Sequence, residues 1–579
     1  MRIQYLFKLL LLGATVFEAV NAKKSKPKLR ATAAEANQKN VLFVIGDDLG
    51  AGMPPYIPKD HPLYNTDLTP SWQYILDTFT FYNARTSFTS CGPNRASLFT
   101  GRAPEATKIF TFQRLISQIS NNIVTLLGYF TQQGYVTETV GKVFHMEPAL
   151  AYTQWEYDTG QTNQPHTSTS VDLSNCGNKF YCSIKQDPGD VVSIVAAEAF
   201  LTARIADPNH TPFFLAVGLH RPHTQISIPA AFYKLLQNYL PAGFIPTIPN
   251  TEDWLHSLAH RSGNDIGNMQ AMFGSQWERI IHGHIKTVDD LFTPQYVTTV
   301  MAMIKAYIAG TRYTITNMAA LVSLVEKYGF KNNTVVVLTA DHGYEIGGPG
   351  NMLGKNSLLE AAIKILLAIR DAGQTEGFVN KGLASSLDLF KTLVHMVFGL
   401  KAAETFQDDL GPLQGNSLYP CQFDENCNAN PLGVVTQYPR CQPRGTIQTW
   451  DCMTNVNASD TCSLPPILWM GFTIETLTDR MTRWWEFNYN TTNCTKPWWP
   501  NMPVATQIAA KHWPVWTQID PSRTGTDWSS APQEPELYFM ANHSITGINR
   551  AANPNATDTA TLTLLTSRLV RARGMQLTS

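Results

Sequence analysis

The sequence predicts an α/β protein with a large, mostly parallel central sheet flanked by helices and a smaller C-terminal domain built on an antiparallel sheet. Three observations carry this expectation. Separate apolar runs each end in a cluster of polar residues. Stretches with helical spacing of apolar residues lie between them. After about residue 400 the composition shifts, with cysteine, proline, asparagine and tryptophan rising as the apolar runs fade.

Taken in order, "VLFVIG" (41–46) ends in Asp47-Asp48, and "YVTETVG" (135–141) ends in Lys142 and His145. "FFLAVG" (213–218) runs into His220 and His223, and "TVVVLTA" (334–340) into Asp341-His342. Continuous apolar strands of this kind belong to a sheet covered on both faces. Ligands bind such sheets beyond the C-terminal ends of the strands. The four polar endings therefore predict one convergent site. Residues 191–207 and 297–329 have helical periodicity, and "AAIKILLAI" (361–369) reads as a buried strand. Residues 224–295 are irregular and rich in Trp, His and Pro, as long loops near a site would be. In the last third, "ILWMGFTIET" and "RMTRWWEFNY" predict two strands around a turn at 477–479, with "ELYFM" (536–540) as a further strand.

The N-terminus predicts export. "MRIQYLFKLLLLGATVFEAVNA" has a charged start, a short apolar run and small residues before a cleavage point after Ala22. The run is too short and too interrupted for a stable membrane anchor. Asn209, Asn332, Asn457, Asn490, Asn493, Asn542 and Asn555 stand in glycosylation sequons. The 44 basic and 45 acidic residues give a net charge of −1, so no basic surplus points to nucleic acid. There are nine cysteines. Cys176, Cys182, Cys421, Cys427, Cys441, Cys452, Cys462 and Cys494 suffice for four bridges in an oxidising compartment. Cys91 is then left over, as an intermolecular partner or a reactive group.

Cys91-Gly92-Pro93-Asn94-Arg95, followed by Gly101-Arg102, resembles the signature of the type I sulfatases. "NVLFVIGDDLG", "GYVTETVGKVFH", "PFFLAVGLHRPH", "TADHG", "VTQYPR", "MGFTIET" and "ELYF" follow in that family's order. "GKVFH", "HRPH" and the last three look most similar to the iduronate-2-sulfatase branch. The resemblance implies an alkaline-phosphatase-like sandwich and hydrolysis of sulfate esters on sulfated carbohydrate. It implies that a formylglycine-generating enzyme oxidises Cys91 to formylglycine during secretion. The hydrated aldehyde then attacks sulfur and later expels sulfate, which splits one hard step into two. A Ca²⁺ ion held by Asp47, Asp48, Asp341, His342 and the modified Cys91 would activate it. By the same resemblance Arg95 holds the formylglycine, and Lys142 contacts sulfate and nucleophile. His145 assists collapse of the intermediate, while His223 and Lys355 contact sulfate and one of them protonates the leaving group. The implied organisation is a signal peptide over 1–22, a linker over 23–39, a catalytic domain over 40–435 and a smaller domain over 436–579. Its destination is the secretory pathway, ending outside the cell or in the lysosome.

The chain departs from the family pattern in places. Asn94 stands where most relatives have serine, and Gly50 where an arginine is expected. "DHGYEIGGPGNMLGKNS" lacks a histidine that the iduronate branch carries, gains a residue before Lys355, and is followed by "IKILL" in place of "HVP". These positions border the leaving-group pocket, so the sugar is not fixed by the resemblance. Two other readings compete: a phosphate or phosphonate ester hydrolase of the same superfamily, and a sulfatase-like binding protein without activity.

Overall fold

The computed structural model describes residues 38–50, 79–145 apart from 112–115 and 121, and 181–232 apart from 185–187, 224–225 and 230. It further describes 294–440 apart from 347–352, 469–495 apart from 489–490, and stretches between 516 and 574. The expected signal peptide, most of the linker, Cys176, Cys441, Cys452 and Cys462, most of the loop at 224–295, and sequons Asn457, Asn490 and Asn542 lie outside the described residues.

The central sheet has seven strands. In chain order they are β1 (Asn40–Asp47), β2 (Phe79–Arg85), β3 (Val136–Gly141), β4 (Phe213–Pro222), β5 (Thr334–Ala340), β6 (Leu367–Arg370) and β7 (Phe378–Ser385). They lie side by side as β7-β2-β6-β5-β1-β4-β3. All neighbours run parallel except β6, which is antiparallel to both β5 and β2. Every residue of β1 and β5 is buried, which is why these segments carry apolar residues without alternation.

Helices α1 (Cys91–Thr100), α2 (Pro188–Ile205), α3 (Pro294–Lys327) and α4 (Asp388–Phe398) cover this sheet. α2 and α3 pack on each other and on β4, while α4 packs against α1. The two long helices match the periodic stretches at 191–207 and 297–329 to within three residues at each end. The segment 361–369 is different. Glu360–Ile363 forms one helical turn, and only Leu367–Arg370 is strand. The turn is needed because Gly343 donates to Ala362 O and Glu345 Oε1 accepts from Ala362 N, so this backbone serves the loop after β5.

A second, antiparallel sheet follows. Strands β8 (Val434–Arg440), β9 (Trp469–Glu475), β10 (Asp479–Asn488), β11 (Gln533–Ala541) and β12 (Ser544–Thr546) pair in sequence order, with Gly525–Thr526 added beside β10. Its core includes Met470, Phe472, Trp484 and Trp485, together with Leu565 and Leu569 of helix α5 (Ala556–Gly574). Phe88, Phe110, Leu358 and Ile363 from the first part of the chain complete that core, so the two sheets share a packed boundary. Cys421 and Cys427 form a disulfide, and Cys91 is a free, buried thiol. Asn209, Asn332 and Asn555 are exposed.

Candidate active site

Register explains why distant residues meet. β1 aligns Gly46 with Ala340 of β5, so Asp47 and Asp341 leave the sheet side by side. On the other side, β3 and β4 align Gly141 with Gly218. The two backbones approach so closely there that a Cβ on Gly141 (φ +70°) would lie 2.2 Å from Gly218 O. Only glycine tolerates both this contact and the left-handed conformation. The kink turns Lys142 toward Asp47, with which its amine pairs directly.

Cys91 is the first residue of α1. Ser90 is its N-cap, but its hydroxyl makes no capping bond, and Gly101 ends the helix in the left-handed conformation. The loop before Cys91 is tied down on all sides. Thr86 Oγ1 donates to Asp341 O at 2.7 Å, and Asn94 Oδ1 accepts from Ser87 Oγ at 2.8 Å and Ser386 Oγ at 3.0 Å. The Asn94 amide also donates to Asp341 O. The asparagine in the signature therefore joins α1 to the β5 end, which a serine could not do with as many bonds.

Cys91 Sγ lies 3.3 Å from Asp47 Oδ1, 3.2 Å from His342 Nε2 and 3.2 Å from Lys355 Nζ, with Lys142 Nζ at 3.9 Å. Lys355 Nζ donates to Asp48 Oδ1 at 2.6 Å. Arg95 reaches Asp341 Oδ2 with Nε at 3.0 Å and Asp47 Oδ1 with Nη2 at 3.3 Å. Its Nη1 donates to the carbonyls of Lys142 and Val143. With four hydrogen bonds from its three nitrogens, Arg95 joins α1, β1, β3 and β5 together. His145 is buried and feels Lys142, Arg95 and Asp47. His223 is half-buried, its ring centred 5.0 Å from that of His220, and it acts electrostatically on Asp47. Asp47, Asp48, Cys91, Arg95, Lys142, Asp341, His342 and Lys355 thus meet at one place, with His145 and His223 within electrostatic reach of Asp47.

The electrostatics follow from burial and pairing. Burial pushes the Asp47 carboxyl up, but Lys142, His223, Arg95 and Lys355 together outweigh it and hold Asp47 well below the carboxylate range. Burial raises Asp48, and Lys355 only partly offsets this. Burial and then Asp47 push the Cys91 thiol far up, against Lys142 and Lys355. Burial, with Lys142 and Arg95, holds His145 well below its usual value, so it is neutral.

Asp47, Asp48, Cys91 and His342 offer ligand atoms within 4.8 Å of one another. The set fits a divalent cation. Asp48 Oδ2 is buried without a partner, and His342 Nδ1 lies 3.0 Å from Gly343 O. That carbonyl can only accept, so Nδ1 carries the hydrogen and Nε2 keeps its lone pair for a metal. Asp341 is placed differently within the centre. Its Oδ1 accepts from Asp48 N and His342 N, and its Oδ2 from Arg95, so both of its oxygens are engaged within the fold.

Three residues were less legible. His220 Nδ1 lies 3.7 Å from Asp47 Oδ2, and its doublet with His223 was the only sequence signal. Asp190 accepts from His220 N at 2.7 Å and Arg221 N at 3.3 Å, fixing the histidine pair. Tyr307 on α3 donates to Asp48 O at 2.6 Å and accepts from Gly50 N at 2.9 Å. It sits in a regular helical pattern that reads as core. Gly50 has its own explanation. A Cβ there would lie 3.1 Å from Gly343 Cα, so the segment holding Asp341 and His342 can close in.

The sulfatase family model matches residues 39–400. Iduronate 2-sulfatase of Homo sapiens is 25% identical over 533 residues, covering 83% of this chain and 90% of that protein. A sulfatase of Formosa agariphila is 24% identical over 390 residues, covering 64% of this chain and 71% of its own. Among solved structures, the phosphonate monoester hydrolase of Silicibacter pomeroyi has a TM-score of 0.58 at 16% identity, covering 93% of this chain and 96% of that one. A protein solved in complex with its substrate D-glucosamine-2-N,6-O-disulfate has a TM-score of 0.55 at 14% identity, covering 93% and 98%. At these identities the structures establish the fold, an alkaline-phosphatase-like α/β sandwich.

Proposed function

The chain belongs to the sulfatase family and is a sulfuric ester hydrolase, and on that premise we propose that it cleaves sulfate esters of sulfated carbohydrate, using a formylglycine made from Cys91 and a bound Ca²⁺. The observation that carries this reading is the convergence of Cys91 with Asp47, Asp48 and His342 between the amines of Lys142 and Lys355.

The thiol itself is a poor nucleophile here. Burial and Asp47 keep it protonated, and only a thiolate attacks well. Oxidised to the aldehyde by a formylglycine-generating enzyme and then hydrated, position 91 would supply the hydroxyl nucleophile in place of the thiol. A divalent cation bound by Asp47, Asp48, His342 and residue 91, with Asp341 beside them, would supply Lewis acidity toward a sulfate oxygen.

The remaining work falls to the chain's own residues. Lys142 and Lys355 place positive charge around the anionic ester, where charge grows as the bond to the alcohol breaks. Arg95 is committed to Asp47, Asp341 and two carbonyls, so it positions α1 and residue 91. His145, held neutral, can accept a proton inside the site. His223, half-buried and within electrostatic reach of Asp47, or Lys355 would give the leaving alcohol its proton. The N-terminal leader pattern and the Cys421–Cys427 disulfide support a secretory route. Among the described residues no helix is long and apolar enough to cross a membrane.

The test is a mass measurement on the Cys91 peptide of secreted protein, followed by turnover of sulfated disaccharides and of a phosphonate monoester. The expected peptide is about 18 Da lighter than the thiol form, the arithmetic of replacing CH₂SH by CHO at a nucleophilic residue. Sulfate should be released, and Cys91→Ala should lower kcat/KM by at least about 10⁴-fold while the protein is still secreted. Sulfate release by Cys91→Ala at the wild-type rate would end this reading. Faster cleavage of the phosphonate would move the chain to the other ester class.

A further inference from the structure

Asn356 follows Lys355, whose amine reaches the nucleophile, and none of the steps above uses it. It is fully buried, and neither its amide nitrogen nor its amide oxygen has a hydrogen-bond partner. Its backbone is in the left-handed region, at φ 66°. Its position is fixed from two sides. It follows Lys355, whose amine lies 3.2 Å from Cys91 Sγ, and its N–H donates to Thr89 O at 3.2 Å, two residues ahead of Cys91. On that segment the hydroxyls of Thr89 and Ser90 are likewise buried and unpartnered, although Ser90 stands at the helix N-cap where a hydroxyl ordinarily finds a backbone amide.

Folding alone does not account for this group. Burying an unmatched donor and acceptor costs stability, and most buried polar atoms are matched. The left-handed backbone would be satisfied by glycine with no amide to bury. Asn356, Thr89 and Ser90 are neighbours of Lys355 and Cys91 in the chain, whereas both amide atoms of Asn94, only three residues past the nucleophile, are bonded.

We propose that Asn356 is a specificity-determining residue that hydrogen-bonds, through both amide atoms, a sugar hydroxyl adjacent to the scissile sulfate. This rests on the sulfatase reading of the site. The chemistry selects the group. Ester sulfate oxygens only accept, and Lys142 and Lys355 already answer them. An amide that offers one donor and one acceptor matches a hydroxyl, which does both. A site built to bond a hydroxyl discriminates strongly against substrates that lack it.

The test uses the full secreted enzyme and two kinds of substrate. One is 4-nitrophenyl sulfate, which has no hydroxyl beside the ester. The other is the disaccharide that wild type cleaves fastest among glycosaminoglycan disaccharides carrying 2-O-, 4-O-, 6-O- or N-sulfate. Asn356→Gly keeps the backbone and removes the amide. It should lower kcat/KM on the disaccharide on the order of 10–100-fold. It should leave the aryl sulfate within about twofold, with Tm unchanged or higher. Unchanged disaccharide kinetics, or equal loss on both substrates, overturns the proposal. So does a wild type that cleaves the aryl sulfate and none of the disaccharides, which leaves sulfate ester hydrolysis standing. A wild type that cleaves neither removes the sulfatase reading and this inference with it. If Asn356→Gly fails to accumulate, Asn356→Asp keeps shape and backbone preference. Losing the donor and adding negative charge near the ester, it should slow both substrates and the disaccharide more. Equal slowing would again overturn the proposal.

Discussion

The centre at the strand ends and the boundary between the two sheets both bury arginines, lysines and carboxylates, yet they dispose of the charge differently. At the boundary, Glu475 pairs with Arg85 and, at 3.2 Å, with Arg480. Burial raises that carboxyl, but the two guanidinium groups outweigh it and hold it charged. Arg480 also donates to Leu358 O, and the Lys364 amine sits 4.5 Å over the Tyr82 ring. In this cluster opposite charges face each other directly, down to the Arg480 Nε and Glu475 Oε1 pair that holds by charge without a hydrogen bond. The strand-end centre stays open, with Asp48 Oδ2, both Asn356 amide atoms and the Thr89 and Ser90 hydroxyls unmatched. Buried charge by itself therefore does not mark function in this chain. What sets the strand-end centre apart is that its unmatched atoms stand with a metal-type ligand set of Asp47, Asp48, Cys91 and His342.

Substitutions should separate the two clusters. The largest effect is expected from Asp48→Asn, which removes charge from the ligand set. kcat/KM should fall by about 10³-fold or more in a steady-state assay. Tm should change less than for the boundary variant, since burial already disfavours the Asp48 charge. Glu475→Gln should do the reverse. It leaves Arg85 and Arg480 buried without a counter-charge, at a cost of about 3–5 kcal/mol in denaturant unfolding, with kcat within a few-fold of wild type. If both variants lose activity and stability in proportion, the distinction fails.

The smallest effect is pH-dependent and sharpens the boundary side. Burial raises Glu345 from 4.5 to about 8, so it is neutral in the folded protein at pH 7. A folded value above the unfolded one gives stability that is complete below about pH 4.5 and lost as pH rises through about 8. Glu345→Gln keeps the neutral form at all pH values. Its unfolding free energy relative to wild type should therefore grow between pH 4.5 and 8. A flat difference would show that Glu345 is charged in the fold.

Much of this was legible beforehand, for physical reasons that also mark where legibility stops. β1 and β5 announce themselves because full burial demands unbroken apolar runs. Asp47, Asp341 and Lys142 could be read because they sit one residue beyond such runs. β2 and β7 could not. "FTFYNAR" mixes polar residues into the strand, and β7 alternates only at its exposed start. β8, with Pro439 inside it, does not read as a strand at all. In the site, Tyr307 was hidden because its role depends on a hydroxyl meeting backbone atoms more than 250 residues away. Asn94 and Gly50, which break the family pattern, fit once their neighbours are known. One makes four bonds, and the other makes room.

Cys91 is 1% exposed, and the partner that covers it, His342, lies 251 residues further along the chain. At synthesis rates of about 5–20 residues per second, roughly 10–50 s separate the two residues. During that interval the nucleophile's position has been made and the residues that will enclose it have not. Any enzyme that must grip this side chain works against that clock, and a mutation that hastened early collapse around α1 would produce a well-folded protein that arrives unmodified.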